Sequence, residues 1–148
     1  MYDRILLSTD GTRTSDRATT QAVELAAAVG ATVHALYVVD DEVFAAYSGD
    51  EFVAATEGPE HGLVEVGRET LAAVTDRCRD HEVAVETALE YGQPAETIAD
   101  YADRVDADLL VLGTGQQPEP YRRLLGSVTN AVAQTTARPT LVVKTPPD

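Results

Sequence analysis

The residues whose types and spacing could do chemistry are Gly113, Gly126 and Ser127. An apolar run, 109–112, stops at Gly113, and a loop bearing glycine and proline follows. Gly126-Ser127 then opens an apolar periodic segment, 128–132. A strand that empties through a loop into a helix amino end is where open α/β sheets bind anions. The first amides of the helix lack intrahelical partners, and the helix dipole is positive there. Glycines let the backbone approach an anion, and the Ser127 hydroxyl can donate to it or cap the helix. Asp10 is a second candidate, since it ends the apolar run 2–9. A carboxylate there can accept from ribose hydroxyls, hold a magnesium ion against phosphates, or form an ordinary turn.

Positioning these residues takes a sheet. Ile5, Leu6 and Leu7 in succession imply burial on both faces, as in a central parallel strand. A helix is expected over 15–29, with Ala18, Ala22, Leu25, Ala26 and Val29 on its buried face and Gly30 as its carboxyl cap. The segment 31–39 reads as a second strand, in which His34 is a packed or edge residue. A long connection, 40–59, leads to a helix over 60–80 with the stripe Leu63, Gly67, Leu71, Val74 and Cys78. The third strand, 83–90, has weaker apolar content and suits a sheet edge. Tyr91-Gly92-Gln93 is expected to turn the chain, and Pro94 to open a helix whose stripe is Ile98, Tyr101, Ala102 and Val105. Strands at 109–112 and 140–144 flank a helix over 127–136.

This β-α-β-α-β-α-β-α-β order specifies an α/β domain, 1–148, with a doubly wound parallel sheet and helices on both faces. Such sheets bind ligands outside the carboxyl ends of their strands, where the strand order reverses. With strand one central, that crevice lies between strands one and four, bordered by Asp10 and by the loop after Gly113.

Composition narrows the function. The net charge is −14, with one lysine, Lys144, against ten arginines. The acids are dispersed rather than gathered in a tail, as in a salt-adapted surface where self-repulsion is screened. Such a surface disfavours nucleic acid, which needs clustered cations. No apolar run is long enough for a membrane span, and the amino end lacks a signal pattern, so the expectation is a soluble cytoplasmic protein. Cys78 stands alone and reads as a small core hydrophobe. His34, His61 and His81 are scattered, which disfavours a zinc site. The chain has no GxSxG elbow, no GxGxxG and no GxxxxGK[ST], so no catalyst is evident.

Four stretches, YDRILLSTDGT, ATVHALYVVD, YGQPAETIADYADRVDADLLVLGT and RRLLGSVTNAVAQTTARPTLVV, resemble the universal stress protein family in order and spacing. The resemblance implies a five-stranded parallel sheet of order 3-2-1-4-5 and a homodimer paired through the last strand, Thr140–Lys144. Members that bind ATP carry G-x2-G-x9-G-[ST] after strand four. Gly113, Gly126 and Ser127 fit that pattern, with Val128 following. By the resemblance, Asp10 and Val39 flank ribose and adenine, and Leu112 lies near the base.

The middle of the loop departs from the pattern. Gln116 stands where the second glycine belongs, and Gly115 is one place early. Gln116 takes a positive φ only at a cost of about 1 kcal/mol or more. Pro118 and Pro120 remove amide donors, and Glu119 adds a negative charge. Arg122 and Arg123 supply positive charge in compensation. The sequence thus leaves two readings of one fold: a regulatory protein with an adenine-nucleotide crevice and at most slow hydrolysis, or an interaction module without nucleotide. A flavodoxin-like carrier is a third, carried only by the loose fit of 10–15 to a phosphate loop after strand one.

Overall fold

The computed structural model describes residues 2–11, 13–40, 59–114 and 127–145. The elements are β1 (Arg4–Ser8), α1 (Arg13–Val29), β2 (Thr32–Asp40), α2 (Pro59–Asp80), β3 (Val85–Gly92), α3 (Pro94–Val105), β4 (Leu109–Thr114), α4 (Ser127–Thr135) and β5 (Thr140–Lys144). All strand pairs are parallel, and the sheet order is β3-β2-β1-β4-β5, as the resemblance implies.

β1 is central because its residues have no wet face. Ile5, Leu6 and Leu7 are each fully buried. Ile5 and Leu7 point into a core with Ala18, Ala22, Val23 and Ala26 of α1 and Leu71, Val74 and Cys78 of α2. Leu6 points the other way, into a core with Leu36, Leu110, Ala95, Ile98 and Ala102 of α3, and Val132 of α4. Each fully buried Leu or Ile contributes about 1.5–3 kcal/mol, so the two cores fix the register of the sheet from both sides.

Several local expectations hold. Gly30 caps α1 with φ 75°, and its amide donates to the Ala26 carbonyl. Pro94 opens α3, and the Gln93 side chain caps it by accepting from the Glu96 amide at 2.8 Å. Cys78 is buried, and burial pushes its thiol pKa up, which leaves it a packing residue. His34 is 6% exposed. Two expectations are corrected. Val29 is 46% exposed, and Val23, 2% exposed, joins the core instead. Tyr91 and Gly92 do not turn the chain. They continue β3, paired with Val39 and Asp40 of β2, and β3 begins at Val85 rather than at 83. No described helix is long and apolar enough to cross a membrane.

Candidate functional site

β1 sits between β2, whose crossover helix packs on one face, and β4, whose crossover helices pack on the other. Its carboxyl end is therefore the reversal point. A cavity of about 240 Å³ opens there. Ser8, Thr9 and Asp10 line it from β1 and the turn after it, Leu112 and Gly113 from β4, Val128 and Thr129 from α4, and Pro94 and Ile98 from α3. Apolar walls with a few convergent polar groups are the usual make-up of a small-molecule site.

Of the sequence-derived candidates, Asp10, Leu112, Gly113 and Val128 converge on this cavity. Ser127 is the first residue of α4, the position from which unpaired amides face a ligand. Val39 is placed differently at the side-chain level. It is 2% exposed and belongs to the α1–α2 core, whereas its neighbour Val38 lines the cavity. Any contact of Val39 with a ligand in this cavity would be through its main chain. Gly115, Gln116, Pro118, Glu119, Pro120, Arg122 and Gly126 lie outside the described residues, as does most of the connection 40–59.

The structure adds residues that the sequence did not single out. Ser15, in the first turn of α1, is 6% exposed and lines the cavity. Its Oγ donates to Asp10 Oδ1 at 2.6 Å and accepts from the Asp10 amide at 3.0 Å. Thr129, in the first turn of α4, is 5% exposed and donates to the Gly113 carbonyl at 2.9 Å. The only available signal for either was a hydroxyl in the first turn of a helix that follows a strand.

Asp10 is exposed at the mouth. Its charge is felt nearby: burial first, and the Asp10 carboxylate second, push the Tyr37 phenol above its ordinary pKa. A magnesium ion at Asp10 would need oxygen ligands from a bound phosphate as well as this carboxylate. Magnesium is bound by one or two carboxylates together with substrate phosphates, and no group of three or more His, Cys, Asp or Glu that could hold a metal occurs among the described residues.

Comparison with known proteins agrees with this architecture. The family model described as "Universal stress protein family" matches residues 1–144. Universal stress protein MJ0531 of Methanocaldococcus jannaschii is 34% identical over 146 residues, covering 99% of this chain and 84% of that protein. The solved structure of hypothetical protein MJ0577 superposes with a TM-score of 0.80 at 26% identity, covering 98% of this chain and 97% of that one. A universal stress protein solved in complex with cAMP superposes with a TM-score of 0.67 at 26% identity, covering 97% of each chain. This chain belongs to the universal stress protein family.

Proposed function

We propose that this protein is a stress-response regulatory module that binds an adenine nucleotide, ATP above all, in the crevice between β1 and β4. It would work in the cytoplasm as a homodimer paired through β5, with nucleotide occupancy rather than turnover as its signal. The observation that carries the reading is the convergence of Asp10, Leu112, Gly113 and Val128 on one cavity at the reversal point of the sheet. A carboxylate for ribose, an apolar wall for a base and a helix amino end for phosphate are what such a ligand requires. The relative solved with cAMP supports the ligand class. The dispersed charge of −14 fits a protein working at high salt, with phosphate held by backbone amides and Arg122 and Arg123 rather than by a basic surface.

The test is ATP titration with magnesium, read by thermal shift at high salt. A concentration-dependent rise in melting temperature is expected, because a ligand that binds only the folded state stabilises it. No shift at millimolar ATP would overturn the reading.

One observation favours a second reading, an interaction module without nucleotide: Gln116 occupies the second glycine position, and Glu119 adds charge beside it. Gln116→Gly separates the two. Tighter ATP binding in the variant means the wild-type loop limits a real site. Absence of binding in both proteins favours the interaction module.

A further inference from the structure

We propose that Ser15 is the positioning residue for Asp10: it fixes the carboxylate at the mouth of the crevice, and so sets the preference for ligands that carry ribose hydroxyls. The link to ribose rests on the nucleotide reading above; the anchoring of Asp10 does not.

The geometry is a closed pair of hydrogen bonds between residues five apart. The Ser15 hydroxyl donates to Asp10 Oδ1 at 2.6 Å and accepts from the Asp10 amide at 3.0 Å. One buried hydroxyl therefore holds both the main chain and the side chain of an exposed residue. The bond to the carboxylate is charge-assisted and short, the stronger kind. A simple helix cap would satisfy amides at the start of α1. Ser15 instead spends its proton on an acid outside the helix.

Two further facts locate the device. Ser15 is itself held from behind, since its carbonyl accepts from the buried Thr19 hydroxyl at 2.8 Å. Ser15 also lines a second cavity of about 260 Å³ on the other side of the sheet end, between α1 and α2, whose wall includes Thr70 and Arg77. Together with Thr9 it forms the partition between that cavity and the crevice.

The consequence is chemical. A carboxylate offers about four lone-pair sites, and Ser15 occupies one of them. The bond also limits rotation of the Asp10 side chain before a ligand arrives. A diol that accepts this fixed orientation loses less in ordering the site. Without Ser15 the carboxylate keeps its charge but loses the bond that holds Oδ1. The expected loss is then in discrimination between ribose and deoxyribose ligands, not in overall attraction.

Two measurements on the full-length protein test this. The first is amide hydrogen exchange without ligand. Ser15→Ala should accelerate exchange at Asp10 by about fivefold or more, as expected for loss of one such bond. Exchange at Leu7 should stay unchanged, which reports an intact core, and Ser15→Thr should keep the wild-type rate at Asp10. The second is the affinity ratio of ATP to its 2′,3′-dideoxy analogue. Ser15→Ala should lower that ratio by about tenfold, as loss of an oriented charged acceptor would. Asp10→Asn should lower it comparably, and the double variant should lower it no further.

Unchanged exchange at Asp10 overturns the anchoring. Accelerated exchange with an unchanged ratio overturns the role in ribose preference. If the wild type binds no ATP while exchange at Asp10 still accelerates, the anchoring stands and the nucleotide reading of the crevice falls.

Discussion

The Thr129 hydroxyl donates to the Gly113 carbonyl at 2.9 Å, tying the first turn of α4 to the end of β4. Ser15 does the equivalent for α1 and β1 through Asp10. Each strand that borders the crevice is thus fastened to the helix following it by a buried hydroxyl in the third position of that helix. The strand ends are where an α/β sheet leaves main-chain groups unpaired, and where it binds ligands. Both fasteners keep the walls of the cavity in place without filling it.

Thr129→Val tests the second fastener. The shape is nearly kept, but the Gly113 carbonyl loses its donor in a part-buried setting. A loss of about 1–2 kcal/mol is expected. Urea denaturation checks it, with Thr129→Ser retaining most of the wild-type stability.

Much of this architecture was legible in the chain. Three buried aliphatics in a row announced the central strand, and Gly30 and Pro94 marked helix ends for conformational reasons that do not depend on tertiary context. What was not legible has physical causes. β2 is apolar on both faces, so parity alone could not say whether Val38 or Val39 meets the crevice; only packing against α3 decides it. Val29 continues the periodicity of α1 yet is 46% exposed, while Val23, off the stripe read from the sequence, is buried. The Ser15–Asp10 ring was hidden because serine in a first helical turn is common, and its partner choice is set by the exact turn between β1 and α1. That turn places Gly11 at φ 78°, where a Cβ would lie 2.7 Å from Thr70 Oγ1.

The two glycines of α2 should behave oppositely. A Cβ on Gly67 would sit 2.7 Å from Tyr37 Cδ1 and 2.8 Å from Leu89 Cδ1, so α2 packs on β2 and β3 at backbone distance. Gly67→Ala gains helix propensity of about 1 kcal/mol but forces the ring and the leucine to move, at about 1–3 kcal/mol. A net destabilisation is expected. Gly62 has nothing within 4 Å of its Cβ position, so Gly62→Ala should stabilise by up to about 1 kcal/mol. Melting temperatures of the pair, measured side by side, check the sign of each.

His34 should make the fold acid-sensitive. Burial is the main influence and lowers its pKa from the ordinary 6.5; Arg4 of β1 lowers it further, and Glu86 of β3, 3.5 Å away, opposes both. The unfolded chain therefore binds a proton at higher pH than the folded one. The contribution of His34 is full above about pH 6.5 and is lost as pH falls from there through the lowered folded value. His34→Leu should flatten this part of the stability–pH curve. Glu86→Gln should deepen the loss and carry it to lower pH, because it removes the one influence that favours the imidazolium. Denaturant titrations between neutral and mildly acid pH measure both. A curve for His34→Leu that coincides in slope with wild type would assign the acid sensitivity to other groups.

The proposed dimer can be argued from the two edges of the sheet. An open strand edge pairs with another chain unless charge, proline or a cover prevents it. β3, at one edge, is VETALEYG and carries Glu86 and Glu90, which would face their own copies across a twofold. β5, at the other edge, is TLVVK: its only charge is Lys144 at the end, and Leu141 is 38% exposed. A protein of net charge −14 associates with itself most readily where its acids are absent, and β5 is that edge. Leu141→Lys places a charge in the middle of this strand, opposite or near its own copy. Light scattering after size exclusion should show the wild type at twice the chain mass and the variant at the chain mass, with the melting temperature of the monomer unit little changed. A wild type that runs at the chain mass at micromolar concentration overturns pairing through β5, whatever the crevice binds.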